Sequence, residues 1–264
     1  MTRNYDVFFV FGKEKKLHQT NFFWRSWGDC RVVSLGVSLV GPSESVNLAM
    51  NATIDKPTDG QYRCQIYQSL FWLRRARVDT ESNLIESNYR DLKTLFQKYG
   101  YKDFRFIDPE KIVVSQWVRM KCMYGCGEYG QNASCPPNAP SVSECERFFR
   151  EYSAAVVFHF DKKVEQPEDR HAWSSKVNMK LVKLEREVFL AGYERAFLLY
   201  MDSCCICSEC SKERENCKEP RLARPSPEAM AMDVFTTVRQ FGFPIEVRTD
   251  YSQKMDRYAF LMVE

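Results

Sequence analysis

The chain from Ala196 to Glu228 reads AFLLYMDSCCICSECSKERENCKEPRLARPSPE. An apolar run of strand length, Ala196–Met201, leads into a loop that contains five cysteines. The loop ends at Ser226-Pro227-Glu228, and these residue types commonly open a helix, with Ser at the N-cap and Pro in the first turn. The stretch therefore predicts a strand, a cysteine loop and a helix that ends near Gly242.

A second stretch, upstream of the first, repeats this order of elements. We expect a strand over Lys111–Met120, followed by a cysteine loop over residues 122–140. Ser141 and Glu144 have the spacing of a capping box, which predicts a helix to about Tyr152. The other predicted elements are helices over Thr80–Tyr99 and Ala172–Gly192, and strands over Ala154–Phe160, Ile245–Thr249 and Tyr258–Val263.

The residues before this region have a β-rich pattern, with strands expected over Tyr5–Phe11, Arg31–Leu39 and Tyr62–Leu73. Cys30 and Cys64 occur singly among apolar residues, which is typical of buried core thiols. We therefore expect an α/β fold, with α+β as the alternative. A mixed sheet with flanking helices and two cysteine-rich metal loops would occupy residues 80–264, after a β-rich region of unknown role at residues 1–79.

Composition excludes several classes of protein. The formal net charge is +3, from 38 basic and 35 acidic residues, so there is no electrostatic reason to expect nucleic acid as a partner. No apolar run approaches the roughly 18 residues that span a bilayer, and the short run Val7–Phe11 is followed at once by charged residues, unlike a signal peptide. These features predict a cytoplasmic chain without membrane contact.

The cysteine content then points to metal. The chain has 11 cysteines, and in a reducing compartment clustered thiols more often bind metal than form disulfides. Histidine is rare, and His18, His159 and His171 all lie apart from the cysteine clusters in the sequence. A metal site in this chain is therefore expected to be rich in thiolates.

The second module has the pattern C-x2-C-x2-C-x6-C, with Cys204, Cys207, Cys210 and Cys217 as the predicted ligands of one centre. Spacings of two residues let thiolates in a tight loop converge, and the triple pattern resembles the run of bacterial ferredoxins. The fourth ligand departs from that run, in which it follows after three residues. Cys205 is a spare thiol that could substitute.

The first module contains Cys122, Cys126 and Cys135, which we predict to converge on a second site close to the first. Glycines around Cys126 allow the backbone to fold around an ion or cluster. Three thiolates do not close a four-ligand site. Cys145 is a candidate fourth ligand, although its place on an apolar helical face favours a core thiol.

The choice between iron and zinc rests on spacing. Zinc ribbons pair two C-x2-C knuckles about 15–20 residues apart, and they do not need three cysteines in one loop. We therefore favour one or two [4Fe-4S] clusters in an oxygen-sensitive protein, with zinc as the alternative.

The combined motif also resembles that of the DUF2284 family of predicted metal-binding proteins, over about residues 90–264. The matching residues are Cys122, Cys126, Tyr129-Gly130, Ser134-Cys135-Pro136-Pro137, Pro140, Cys204, Cys207, Cys210, Cys217, Pro220, Arg224-Pro225-Ser226, Glu228-Ala229 and Asp233-Val234. Pro227 and Ala231-Met232 depart from the usual family pattern. The resemblance implies metal binding and no particular reaction.

Three functions remain open. In the first hypothesis, the chain is a redox or sulfur-handling enzyme, either an oxidoreductase or a lyase. In the second, it is an electron-transfer or assembly subunit with a redox partner protein. In the third, it is a zinc-stabilised binding module. We expect Arg221, Arg224 and the helix that starts at Ser226 to stabilise negative charge at the metal region, on a cluster or on a small anionic substrate.

Overall fold

A computed structural model of the chain describes residues 3–11, 32–40, 46–54, 82, 85–86, 88–163, 166, 169–250 and 253–264. The chain forms two compact units, Met1–Phe71 and Trp72–Glu264. The predicted division of roles between residues 1–79 and 80–264 stays a prediction.

The first unit contains a three-stranded antiparallel sheet of β1 (Arg3–Phe11), β2 (Val32–Val40) and β3 (Val46–Ile54), in the order β1-β3-β2. The expected β-rich start of the chain is thus confirmed. β3 was not expected, because its asparagines are uncommon in strands. The predicted strand over Tyr62–Leu73 and the thiols of Cys30 and Cys64 lie outside the described residues.

The second unit confirms the α/β class. Its elements in chain order are α1 (Arg90–Lys98), β4 (Phe104–Ile107), α2 (Gln116–Gly125), α3 (Val142–Arg150), β5 (Ala155–Lys162), α4 (Asp169–Leu190), β6 (Phe197–Leu199), α5 (Val234–Gln240) and β7 (Met255–Met262). The strands form one sheet in the order β4-β5-β7-β6.

Every pairing in this sheet is antiparallel, whereas we expected a mixed sheet. The reason is the position of the last strand. β5 and β6 run in the same direction, joined by α4, but β7 inserts between them and pairs with both. Ala155 lies opposite Met262 at one end of the β5–β7 ladder, and Lys162 lies opposite Met255 at the other.

Helices cover both faces of the sheet, and each face has its own core. On one face α1 and α4 contribute Leu92, Phe96, Leu181, Leu184 and Val188, packed with Phe158 and Leu261. On the other face α3 and α5 contribute Cys145, Phe149 and Val238, packed with Val157 and Phe260. β5 is therefore buried on both sides at its start, which explains its nearly continuous apolar sequence.

Three predicted elements differ from the structure. The predicted strand over Lys111–Met120 is a short 3-10 turn, Pro109–Lys111, followed by α2, because a short apolar run does not by itself distinguish strand from helix. Residues 245–249 have no regular structure. The helix expected to start at Ser226 starts at Val234, where Asp233 accepts a hydrogen bond from the backbone N–H of Thr236.

The predicted helix ends agree better with the structure where the cap is formed by residues close together in the sequence. Ser141 and Glu144 form the predicted capping box at the start of α3. The helix predicted over Thr80–Tyr99 is interrupted at Tyr89, which has non-helical dihedral angles and precedes α1.

Within the described residues, no helix combines the length and apolar character that crossing a membrane requires.

Candidate metal centre

A ladder of buried polar side chains on α4 positions the approach to the second cysteine module. Ser174, Asn178 and Glu185 lie on one helical face and are almost fully buried. Their hydrogen bonds run from Leu198 N–H to Glu185 Oε1 (2.8 Å), from Met201 N–H to Asn178 Oδ1 (3.3 Å) and from Ser174 Oγ to Asp202 Oδ2 (3.1 Å). Buried polar groups need such partners, so α4 holds the chain in one register as it enters the loop.

The second module forms a pocket. Cys204, Cys207, Cys210 and Cys217 all line it, and its cavity volume is about 20 Å³. The structure thus brings together the four cysteines that the spacing predicted for one centre. Among the residues that the structure describes, no group of three or more His, Cys, Asp or Glu side chains is arranged to hold a single metal ion.

Backbone amides point at two of these sulfurs. The N–H of Ala133 donates to Cys210 Sγ, with 3.4 Å between nitrogen and sulfur. The backbone N–H groups of Ile206 and Arg224 lie near the sulfur of Cys204 and lower the pKa of its thiol. Hydrogen bonds of this kind favour the thiolate, and around bound clusters they tune the reduction potential.

Burial works in the opposite direction on Cys204 and Cys207. Desolvation raises the pKa of Cys204 despite the two amide donors, and neighbouring Cys217 and Cys210 raise it further. The pKa of Cys207 is also raised by desolvation and then by Cys217. The raised pKa values of these two thiols favour their neutral form, and metal binding would displace their protons.

The first module is built at the end of α2. Cys122 lies in the last turn of that helix and Cys126 is its C-cap, so the two thiols are one helical turn apart. Burial raises the pKa of Cys135 to about 12, with further contributions from Cys122, Cys126 and Cys204. Cys135 thus lies within electrostatic range of both partners in its own module and of the second module.

Direct hydrogen bonds join the two cysteine loops. Asn132 Nδ2 donates to the carbonyl oxygen of Cys204 at 2.7 Å, and Asn138 Nδ2 donates to the carbonyl oxygen of Lys212 at 2.7 Å. The Ala133 N–H bond to Cys210 is a third link. The left-handed turn at Gly130, with φ of 71°, carries the first loop back on itself, and its N–H bonds the carbonyl of Pro136 at 3.0 Å.

The two additional cysteines differ in their surroundings. Cys145 lies on α3, fully buried in the core, and its thiol donates to the carbonyl oxygen of Pro140 at 3.6 Å. Cys205 lies outside the pocket lining, with its sulfur 3.7 Å from Nδ1 of His171 and 3.8 Å from Oγ of Ser203. His171 is far from the cysteines in sequence, and only the fold brings it beside one.

The predicted anion-stabilising residues have a different arrangement from the one we expected. Arg224 directs its guanidinium to the buried Glu185, with Nε 2.9 Å from Oε1 and Nη2 2.8 Å from Oε2. Arg221 is exposed, and its carbonyl oxygen accepts a hydrogen bond from Arg224 Nη1 at 3.1 Å. Ser226 Oγ accepts from the N–H of Ala229 within a single turn, not at the start of a long helix. A role for these side chains in binding a cofactor stays a prediction.

Sequence reasoning missed several residues that shape this region. Asn132 carries a loop-to-loop hydrogen bond, and its neighbourhood in sequence offers no signal beyond its place between two predicted ligands. Glu228 has an accessible side chain, yet surrounding protein atoms desolvate its carboxyl group and raise its pKa. Its charge also raises the pKa of Cys122 and Cys135, so Glu228 is within electrostatic range of the first module.

Comparison with known proteins gives one match. A family described as predicted metal-binding protein (DUF2284) matches residues 105–263, which include all the cysteines of both modules. Searches of curated proteins and of solved structures found no significant match. Because the family match extends over more than half of the chain, this protein belongs to the DUF2284 family of predicted metal-binding proteins.

Proposed function

We propose that this chain is an iron–sulfur protein that binds one [4Fe-4S] cluster through Cys204, Cys207, Cys210 and Cys217. The observation that carries this proposal is that these four cysteines, three of them spaced as in bacterial ferredoxins, line one pocket. The hydrogen bond from the Ala133 N–H to Cys210 supports it further, because hydrogen bonds to sulfur are a usual feature of cluster sites.

The residues present fit such a group. The described part of the chain contains nine cysteines, all as free thiols, and the thiols of the second module lie in a partly desolvated pocket. As thiolates they would repel one another in that setting, so a bound cationic centre would stabilise them. Free thiols also suit a reducing compartment.

We propose a second cluster at Cys122, Cys126 and Cys135. Three protein thiolates would leave one coordination position for another ligand, which suits a site where a small molecule reacts. The electrostatic coupling of Cys135 to Cys204 supports a short separation between the two modules. Cys204, Cys207, Cys210 and Cys217 would then serve electron transfer, and the first module would serve substrate chemistry of a redox or sulfur-handling type.

When bound, the clusters would supply one-electron transfer and, at the first module, a Lewis-acidic iron. The chain's own contribution is to exclude water and fix the loops. Asn132 and Asn138 tie the loops together, and the ladder on α4 fixes the approach to Cys204. An electron-transfer partner protein is part of this proposal.

The test is chemical analysis of protein purified without oxygen. Iron together with acid-labile sulfide would support the proposal, and zinc without sulfide would contradict it. A cluster EPR signal that changes on addition of small anionic compounds would support a reactive first module. A signal indifferent to all such compounds would favour an electron-transfer subunit without a substrate.

A further inference from the structure

A partly buried arginine near the cysteine modules has a guanidinium nitrogen without a hydrogen-bond partner among the described residues. Arg257 lies on β7, and its Nε is buried without a hydrogen-bond partner in the described part of the chain. Its guanidinium forms no ion pair with a described carboxylate, and burial lowers its pKa. An unpaired cation in such a place is costly, because it has lost water without gaining a partner.

The nearest charges do not neutralise it. Arg170 and Arg248 act on Arg257 as like charges, and Asp202 and Glu228 act as opposite charges. Asp202 is already engaged, since its Oδ2 lies 3.1 Å from Arg170 Nε and accepts a hydrogen bond from Ser174 Oγ at 3.1 Å. Two carboxylates do not offset three guanidinium groups, so the cluster of Arg170, Arg248, Arg257, Asp202 and Glu228 has a net positive charge.

Arg257 also borders an aromatic surface. It lies directly opposite Phe160 in the β5–β7 ladder, so the two side chains are neighbours on one face of the sheet. The ring of Tyr101 lies 6.1 Å from that of Phe160, and the buried hydroxyl of Tyr101 has no hydrogen-bond partner among the described residues. Unused donors beside apolar rings are typical of small-molecule sites.

The position of this group relates it to the first cysteine module. Glu228 interacts electrostatically with Arg257 and also with Cys122 and Cys135, so it is within electrostatic range of both. Asp202 precedes Cys204 by two residues and interacts with Cys205. Arg257 and the cysteine modules are therefore linked through the charges of Glu228 and Asp202.

We propose that Arg257, supported by Arg170 and Arg248, binds the carboxylate or phosphate group of a small anionic molecule near the cysteine modules. A guanidinium suits this role because its fork of donors matches both groups in two-point contact. The role of that molecule as substrate rests on the proposed function. The proposal that Arg257 binds an anion does not depend on the proposed function.

The experiment measures thermal unfolding of the full, metal-loaded chain in increasing inorganic phosphate, with potassium chloride keeping the ionic strength constant. The parent midpoint should rise with phosphate and saturate, because a ligand of the native state stabilises it. Arg257→Gln should weaken phosphate binding at least tenfold, and Arg257→Lys should be intermediate. The matched control is Arg186→Gln, at an exposed arginine on α4, which should behave like the parent.

Two further readouts separate a binding role from a structural one. Without phosphate, Arg257→Gln should be at least as stable as the parent, because it removes an unpaired buried cation. A variant that fails to fold, or that binds phosphate as the parent does, would overturn the proposal, as would a parent that responds to phosphate no more than to chloride. Iron and sulfide are counted in the same samples, so a zinc protein would contradict the proposed function while the phosphate titration still decides this site.

Discussion

The side-chain amide of Asn132 donates a hydrogen bond to the backbone carbonyl oxygen of Cys204, with 2.7 Å between the two atoms. The bond joins residues that are 72 positions apart and that lie in different cysteine loops. Asn132 is itself buried, and its Oδ1 accepts from the N–H of Ser134 at 2.9 Å. One side chain therefore fixes the shape of the first loop and its attachment to the second.

Replacing Asn132 tests this attachment. Asn132→Ala should lower the free energy of unfolding by about 1–3 kcal/mol, because it leaves buried polar groups without partners. Asn132→Asp should keep the acceptor for Ser134 but lose the donor to Cys204, and it should release metal faster to a chelator. Denaturant unfolding and the rate of metal release measure the two effects. Asn216→Ala, at an exposed asparagine, is the control, and an equal effect there would contradict the assignment.

The pair of Glu185 and Arg224 is expected to be a main support of the second loop. Glu185→Ala should lower the free energy of unfolding by about 3 kcal/mol, since it leaves Arg224 partly buried without its counter-charge and also removes the acceptor of Leu198 N–H. Chemical denaturation of the metal-loaded protein measures this. Glu187→Ala, which removes only a partner of the exposed Arg186, should change stability by less than about 1 kcal/mol. Equal losses in the two variants would count against the structural role of Glu185.

The capping box at Ser141 gives a prediction with a pH dependence. Ser141→Ala should lower the free energy of unfolding by about 1 kcal/mol near neutral pH. Hydrogen bonds from the side chain and backbone of Ser141 hold the pKa of Glu144 below its ordinary value of 4.5. A carboxyl group with a lowered folded-state pKa stabilises the protein above its unfolded pKa and loses that effect as the pH falls through the folded value.

The difference between parent and Ser141→Ala should therefore shrink in acid. Denaturant unfolding at pH 7 and at pH values below the ordinary pKa of Glu144 measures it. Glu146→Ala, on the same helix but outside the box, controls for general charge effects. A difference that is constant across this range would show that Glu144 takes no part in the cap.

The parts of the site that depend on residues close in sequence could be predicted. The spacing of Cys204, Cys207 and Cys210 places the thiols in one loop whatever the rest of the chain does, and they do line one pocket. The capping box at Ser141 is likewise a matter of three residues' separation. Local chemistry of this kind is present in the sequence itself.

The parts of the fold and of the site that depend on contacts between residues far apart in the sequence could not be predicted. Arg224 lies near acids in sequence, but its partner Glu185 is 39 positions away on a helix that only the fold brings near. The sheet was expected to be mixed because nothing in the sequence of β7 shows that it inserts between β5 and β6. The run Lys111–Met120 reads as a strand, yet tertiary context makes its second half helical.

Replacing both Cys207 and Cys210 tests the second module alone. Cys207→Ala with Cys210→Ala should remove the metal of that module and lower the thermal midpoint, because metal binding stabilises the folded loop. The control is Cys145→Ala, at a buried core thiol, which should keep the full metal content although it weakens the core. A double variant with the metal content of the parent would rule out these residues as ligands.

The most direct measurement is the number of iron and acid-labile sulfide atoms per chain in protein purified without oxygen. Two [4Fe-4S] clusters predict about eight of each in the parent and about four of each in the Cys207→Ala, Cys210→Ala variant. One cluster in the parent would restrict the proposal to the second module. Zinc with no sulfide, or a chain without bound metal, would contradict the proposal that this protein binds iron–sulfur clusters.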